Sequence, residues 1–217
     1  AHVSLVESES KMRQQNLEFV KGCIDLAPDL GTDVVHGLAG TTDVGVDRQQ
    51  AWEWLLEGAA ECTRYAKERG IKFGLEAVAM CLVANMADLS RLIADLGTEK
   101  LYVNFDPSHL PSVNEDPADW VRILGSRIVH VDMKDTRIYE PHEERVSFSG
   151  VPLDFECPPL GKGVVDFGAM VGALRDIGYL GFLSVEYSAH YFGYHEEPWD
   201  RWEVAAESKD FMDKVLS

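Results

Sequence analysis

No stretch of this sequence supplies the roughly 18 consecutive apolar residues that a membrane-spanning helix needs, and the N-terminus has no basic flank leading into an apolar segment. Neither a transmembrane helix nor a secretory signal is therefore expected. Basic residues are scarce: 20 Lys and Arg stand against 37 Asp and Glu, a formal net charge of −17 with a pI near 4.7. A nucleic-acid backbone calls for a positive field, so no nucleic-acid partner is expected, and a small neutral or metal-bridged ligand suits the charge better. Cysteine is sparse too, with Cys23, Cys62, Cys81 and Cys157 scattered and none in CxxC spacing. That argues against a zinc knuckle or a disulfide framework and for the reduced thiols of a cytoplasmic protein. No internal repeat stands out. What the chain does have is 217 residues, 46% of them hydrophobic, enough for one domain over 1–217 with a sizeable core.

Short apolar runs punctuate the chain, and each closes on an ionisable residue: Asp33-Val-Val-His36, Lys72-Phe-Gly-Leu-Glu76, Leu101-Tyr-Val-Asn-Phe-Asp106, Arg127-Ile-Val-His130 and Phe182-Leu-Ser-Val-Glu186. Between them lie stretches with helical spacing. One follows Ser8 or Ser10 as far as Ala27-Pro28; others cover about 47–69, 85–96, 117–124, 166–177 and 200–216, and Gly70, Gly97, Gly125 and Gly178 close the middle four. The run that carries His130 is read as a strand over 127–132, and residues 2–6 look like the end of a further strand. The segment Thr136 to Gly163 has no clear period and is read as a functional loop or lid. Strand alternating with helix argues for an α/β fold with a parallel sheet. In such folds the carboxyl ends of all strands point to one face, so distant residues can converge there.

Glu76, Asp106, His130 and Glu186 make a mixed oxygen and nitrogen ligand set suited to Mn²⁺, Mg²⁺, Co²⁺ or Zn²⁺, with the carboxylates favouring the harder ions. Each residue alone is better read as a paired core carboxylate or a satisfied histidine. Together they are harder to dismiss, because no acid among them has a basic residue adjacent in sequence to neutralise it.

Five segments, Gly74-Leu-Glu76, Asn104-Phe-Asp-Pro-Ser-His109, Val129-His-Val-Asp-Met-Lys-Asp-Thr136, Leu160-Gly-Lys-Gly-Val-Val-Asp-Phe167 and Gly178-Tyr-Leu-Gly-Phe-Leu-Ser-Val-Glu186, resemble in order the motifs of the xylose-isomerase-like sugar phosphate isomerase/epimerase superfamily. The resemblance implies a (β/α)8 barrel of TIM type with one divalent metal, manganese foremost, held by Glu76, Asp106, His130 and Glu186. It further implies that Glu76 and Glu186 double as the acid/base pair on opposite faces of a sugar or keto-sugar. Counting back from Glu186 as the end of strand eight makes 33–36 strand four and 2–6 the end of strand three. The first two βα units, on the order of 60 residues at about 30 per unit, are then missing. Strands three to eight of an N-terminally truncated barrel are expected, with open sheet edges that invite a homo-oligomer or a partner subunit.

His109 would face the substrate or fix Asp106 from behind. His36 would hydrogen-bond a sugar hydroxyl or hold the glycine-rich loop that follows it. Lys134 and Arg137 would hold a hydroxyl, carbonyl or phosphate, or be ordinary solvated or salt-bridged bases. The aromatic segment Tyr187 to Trp199 leaves room for a substrate larger than a monosaccharide. The expected activity is a metal-dependent isomerase or epimerase. The runner-up is a lyase with the same site, an inosose-type dehydratase or an eliminating enzyme on an oxidised glycoside, since all begin by taking a proton beside a carbonyl. A metal-stabilised subunit without turnover is a third reading. An endonuclease IV-like reading lacks its Asp-x-His pair, because Glu140 stands two positions before His142.

Overall fold

The computed structural model describes residues 1–43, 45–97, 101–138, 155–187 and 200–217, which fall into two compact units, Ala1–Phe105 with Ser126–His130 and Asp106–Gly125 with Val131–Ser217.

In the first unit, strands β1 (Val34–Leu38), β2 (Lys72–Glu76) and β3 (Tyr102–Phe105) form a parallel ladder that runs in register from Val34↔Lys72 to Leu38↔Glu76 and from Gly74↔Tyr102 to Glu76↔Asn104. Helix α1 (Ser10–Leu26) leads into β1, and α2 (Arg48–Glu68) and α3 (Met86–Leu96) connect the three strands in turn. The strands are near-continuous apolar runs, as parallel strands covered by helices are, and Phe73, Leu75, Val103 and Phe105 are buried with Trp52, Leu55 and Ala59 of α2. Trp52, 1% exposed, resolves its one polar atom by donating from Nε1 to Asp95 at 2.8 Å. At the end of α2, Gly70 adopts φ +69°, and the Ile71 and Gly70 amides return to Ala66 O and Lys67 O at 2.9 and 3.2 Å. A left-handed residue at that position closes the last turn, which is why a glycine stands there.

The start of α2 is fixed by Asp47, whose carboxylate accepts from the amides of Gln49 and Gln50 at 3.0 and 3.1 Å. Asp47→Ala is expected to cost about 1 kcal/mol, read as a lower urea midpoint at unchanged slope. An unchanged midpoint would show that this cap is redundant.

In the second unit, the latter half of β4 (Ile128–Met133) pairs in parallel with β7 (Leu183–Val185), with Val131↔Leu183, Asp132↔Ser184 and Met133↔Val185 as partners. A further ladder bond from Glu186 N to Met133 O, 3.1 Å, brings Glu186 level with Lys134. Strands β5 (Arg137–Ile138) and β6 (Phe155–Glu156) form a short antiparallel pair. Helix α4 (Pro117–Leu124) packs on α5 (Phe167–Asp176), and α5 on α6 (Arg201–Leu216), where the rings of Phe167 and Phe211 meet edge to face at 5.5 Å.

Two expectations are corrected here. Residues 2–6 are not a strand: Val3 N bonds back to Ala1 O, and although the Ala1 amine donates to His36 O and Leu5 N to Ala39 O, these separate bonds make no ladder with β1. Neither Ser8 nor Ser10 caps α1; the cap position is Glu9, with no side-chain bond to the helix. Strand β4 runs one residue beyond the expected 127–132, because Val131 and Met133 carry the apolar alternation past Asp132.

Candidate functional site

Ionisable side chains gather at the carboxyl ends of the strands within each unit. In the first, Glu76 closes β2, is 4% exposed and accepts from Asn104 Nδ2 of β3 at 3.2 Å. His36 Nδ1 of β1 lies 3.6 Å from Glu76 Oε2, and the ring of His2 meets that of His36 at 5.0 Å. Ligand atoms of His2, His36 and Glu76 all lie within 4.8 Å of one another, near enough to share a cation. His36 is thereby placed on Glu76, an arrangement neither of its two expected roles included. His130 lines a cavity of about 380 Å³ together with His36, Asn104 and apolar residues such as Leu26 and Val34.

In the second unit Asp106 follows β3. Its Oδ1 accepts from Ser108 N at 2.8 Å, while its Oδ2 lies 3.3 Å from His109 Nε2 and 3.4 Å from Lys134 Nζ. That same Nζ donates to Glu186 Oε1 at 2.6 Å. The Asp106 side chain is 0% exposed and that of Lys134 7%, against 37% for Glu186. Burial acts to lower the Lys134 pKa, but the charges of Asp106 and Glu186 outweigh it and hold the ammonium above its ordinary range. Burial pushes the nearby Cys157 thiol up to about 12.

Lys134 is salt-bridged, the second of the readings open to it, and supplies to Asp106 and Glu186 the base that their sequence neighbours do not. The neutralising base comes from a neighbouring strand end, not from a sequence neighbour, so inspection of flanking residues misses it. Within the second unit β4 offers one more donor, Asp132, 6% exposed and level with Ser184. Sequence reading passed it over, and its signal was the two-residue spacing from Lys134.

Asp135 was missed altogether. It is 1% exposed, and its two oxygens accept from the amides of Thr136, Gly161, Gly163 and Val165 at 2.8–3.2 Å. Burial pushes its carboxyl up, and the four amide donors only partly offset that. A Cβ on Gly163 would stand 2.2 Å from Asp135 Oδ1, so only glycine fits this turn. Arg137 is engaged structurally, with Nη1 on Glu156 Oε1 at 2.7 Å and Nη2 on Lys162 O at 3.0 Å. The expected aromatic cover over 188–199 and the residues Glu140 and His142 lie outside the described residues.

Parallel strands alternating with helices, carrying acids and imidazoles at their carboxyl ends, define the α/β class whose sites are built from strand ends. Within that class the chain belongs to the xylose isomerase-like TIM barrel family, whose model matches residues 1–215. An inosose dehydratase of Clostridium perfringens is 32% identical over 143 residues, covering 64% of this chain and 48% of that protein. The chain spans about half the length of the curated relatives it matches. Among solved structures, an L-ribulose 3-epimerase superposes with a TM-score of 0.75 at 22% identity over 98% of this chain and 71% of that one. The IOLI protein with a bound zinc atom gives 0.73 at 16% identity over 100% and 76%.

Proposed function

We propose that this chain carries the proton-transfer machinery of a metal-dependent enzyme acting on a sugar, keto-sugar or inosose. The observation that carries this reading is the pair of carboxylates, buried Asp106 and half-exposed Glu186, already sharing one positive charge, the Lys134 ammonium. Two acids that share a monovalent cation are chemically fitted to share a divalent one. The proposed ligands are the carboxylates of Glu76, Asp106 and Glu186 with a donor from β4, His130 or Asp132; an oxygen-rich set of this kind suits Mn²⁺ or Mg²⁺, and Zn²⁺ and Co²⁺ accept it too. When bound, the ion supplies a Lewis acid for a carbonyl and its neighbouring hydroxyl.

Glu186, the most exposed acid of the group, takes the carbon-bound proton next to the carbonyl. Glu76 serves the opposite face of the substrate, its carboxylate oriented by Asn104. His109 donates a hydrogen bond to a substrate oxygen or, lacking one, to Asp106. Returning the proton to the other face gives an epimer, and losing a β-hydroxyl as water after it is protonated gives a dehydrated product. The epimerase outcome is the first reading; the dehydratase names of the relatives in sequence favour the second.

The test is C–H exchange in deuterated solvent over ketoses, inososes and 3-keto-glycosides, with the protein stripped of metal and then reloaded with Mn²⁺. Exchange on reloading is expected, with epimer formation or loss of water telling the outcomes apart. A folded, metal-loaded protein exchanging none of the three classes would sink the proposal.

A further inference from the structure

We propose that Lys134 is a built-in competitor for the metal: its ammonium holds the Asp106 and Glu186 carboxylates together until a divalent ion displaces it. The inference rests on the reading of those two residues as ligands. Lys134 Nζ stands 2.6 Å from Glu186 Oε1 and 3.4 Å from Asp106 Oδ2, so a single cationic group bridges acids that follow two different strands. The arrangement is closed on one side and open on the other, with the Asp106 side chain 0% and the Lys134 side chain 7% exposed against 37% for Glu186. The lysine is held there by backbone on both sides. Met133 receives the ladder bond from Glu186 N, and Asp135 is tied to four amides.

A divalent ion bound to oxygen lies about 2.0–2.4 Å from each donor, closer to both acids than the ammonium is. It therefore occupies the space Nζ now fills, and the two cations repel each other at that range. Metal affinity is set by the difference between two cations on one pair of oxygens. The lysine steadies the metal-free protein, since the buried Asp106 carboxylate facing a second acid without a cation is costly. It also discriminates against ions that bind carboxylates weakly. Once displaced, Lys134 is a free ammonium beside the substrate position.

The experiment titrates chelator-stripped wild type, Lys134→Met and Lys134→Arg with MnCl₂ by calorimetry, each checked for fold by circular dichroism. Lys134→Met is expected to bind Mn²⁺ at least tenfold more tightly, about 1.4 kcal/mol, while Lys134→Arg, which keeps the charge, stays within a few-fold of wild type. Wild-type binding with equal or weaker binding by Lys134→Met overturns the competition and leaves the metal site standing. Absence of binding by both folded proteins removes the metal site and this inference with it. Should Lys134→Met not fold, the wild type decides by amine labelling read by mass spectrometry. Faster labelling of Lys134 on adding Mn²⁺ supports displacement, and an unchanged or slower rate refutes it.

Discussion

Glu186→Gln is expected to lower metal-dependent C–H exchange by about 10²–10⁴ while leaving measurable metal binding. The amide keeps an oxygen for the cation but loses the basicity that proton abstraction needs. Of the three acids, Glu186 has the most exposed carboxylate, 37% against 6% for the side chain of Glu76, which suits a group that must reach a substrate. Glu76→Gln should fall by a similar factor with the opposite preference between two epimers. His109→Ala, which removes a donor lying beside Asp106, should raise KM more than it lowers kcat. Exchange at the wild-type rate in metal-loaded Glu186→Gln would reduce this carboxylate to a structural role.

The second large effect concerns folding. Asp135→Ala strips the acceptor from four amides in one stroke, those of Thr136, Gly161, Gly163 and Val165. Two of these, Thr136 and Val165, donate from buried positions where water does not easily replace the lost acceptor. A loss of about 3–5 kcal/mol is expected, read by urea unfolding. Gly163→Ala should approach the same loss from the other side, because its Cβ would stand 2.2 Å from both Asp135 Oδ1 and Thr136 O and force the turn open. The two changes strike one knot and should not add in the double variant. Losses under about 1 kcal/mol for both would mean that the turn relaxes freely.

Local chemistry made most of the helices legible. Asp47, Asn85, Asp116, Asp166 and Asp200 each cap a helix with a side-chain oxygen, and the helix starts read from sequence fall within a residue or two of them. The parallel strands were legible for the same reason, as apolar runs bounded by polar residues. Residues 2–6 shared that apolar pattern and still form no strand, since pattern reports burial and not hydrogen-bond partners. In the site, the acids were found because they end strands, a one-dimensional signal. The partners of Lys134 and the role of Asp135 were not legible because they depend on residues far along the chain, Glu186 and the 161–165 turn, and no local pattern encodes those pairings.

The antiparallel pair of Arg137 with Glu156, tightened by their ion pair, fixes side by side two points that lie 19 residues apart in the chain. Whatever is inserted between those two residues costs little extra closure entropy as it lengthens, about 0.6 kcal/mol per doubling. A change of length between them therefore leaves this clamp as it is.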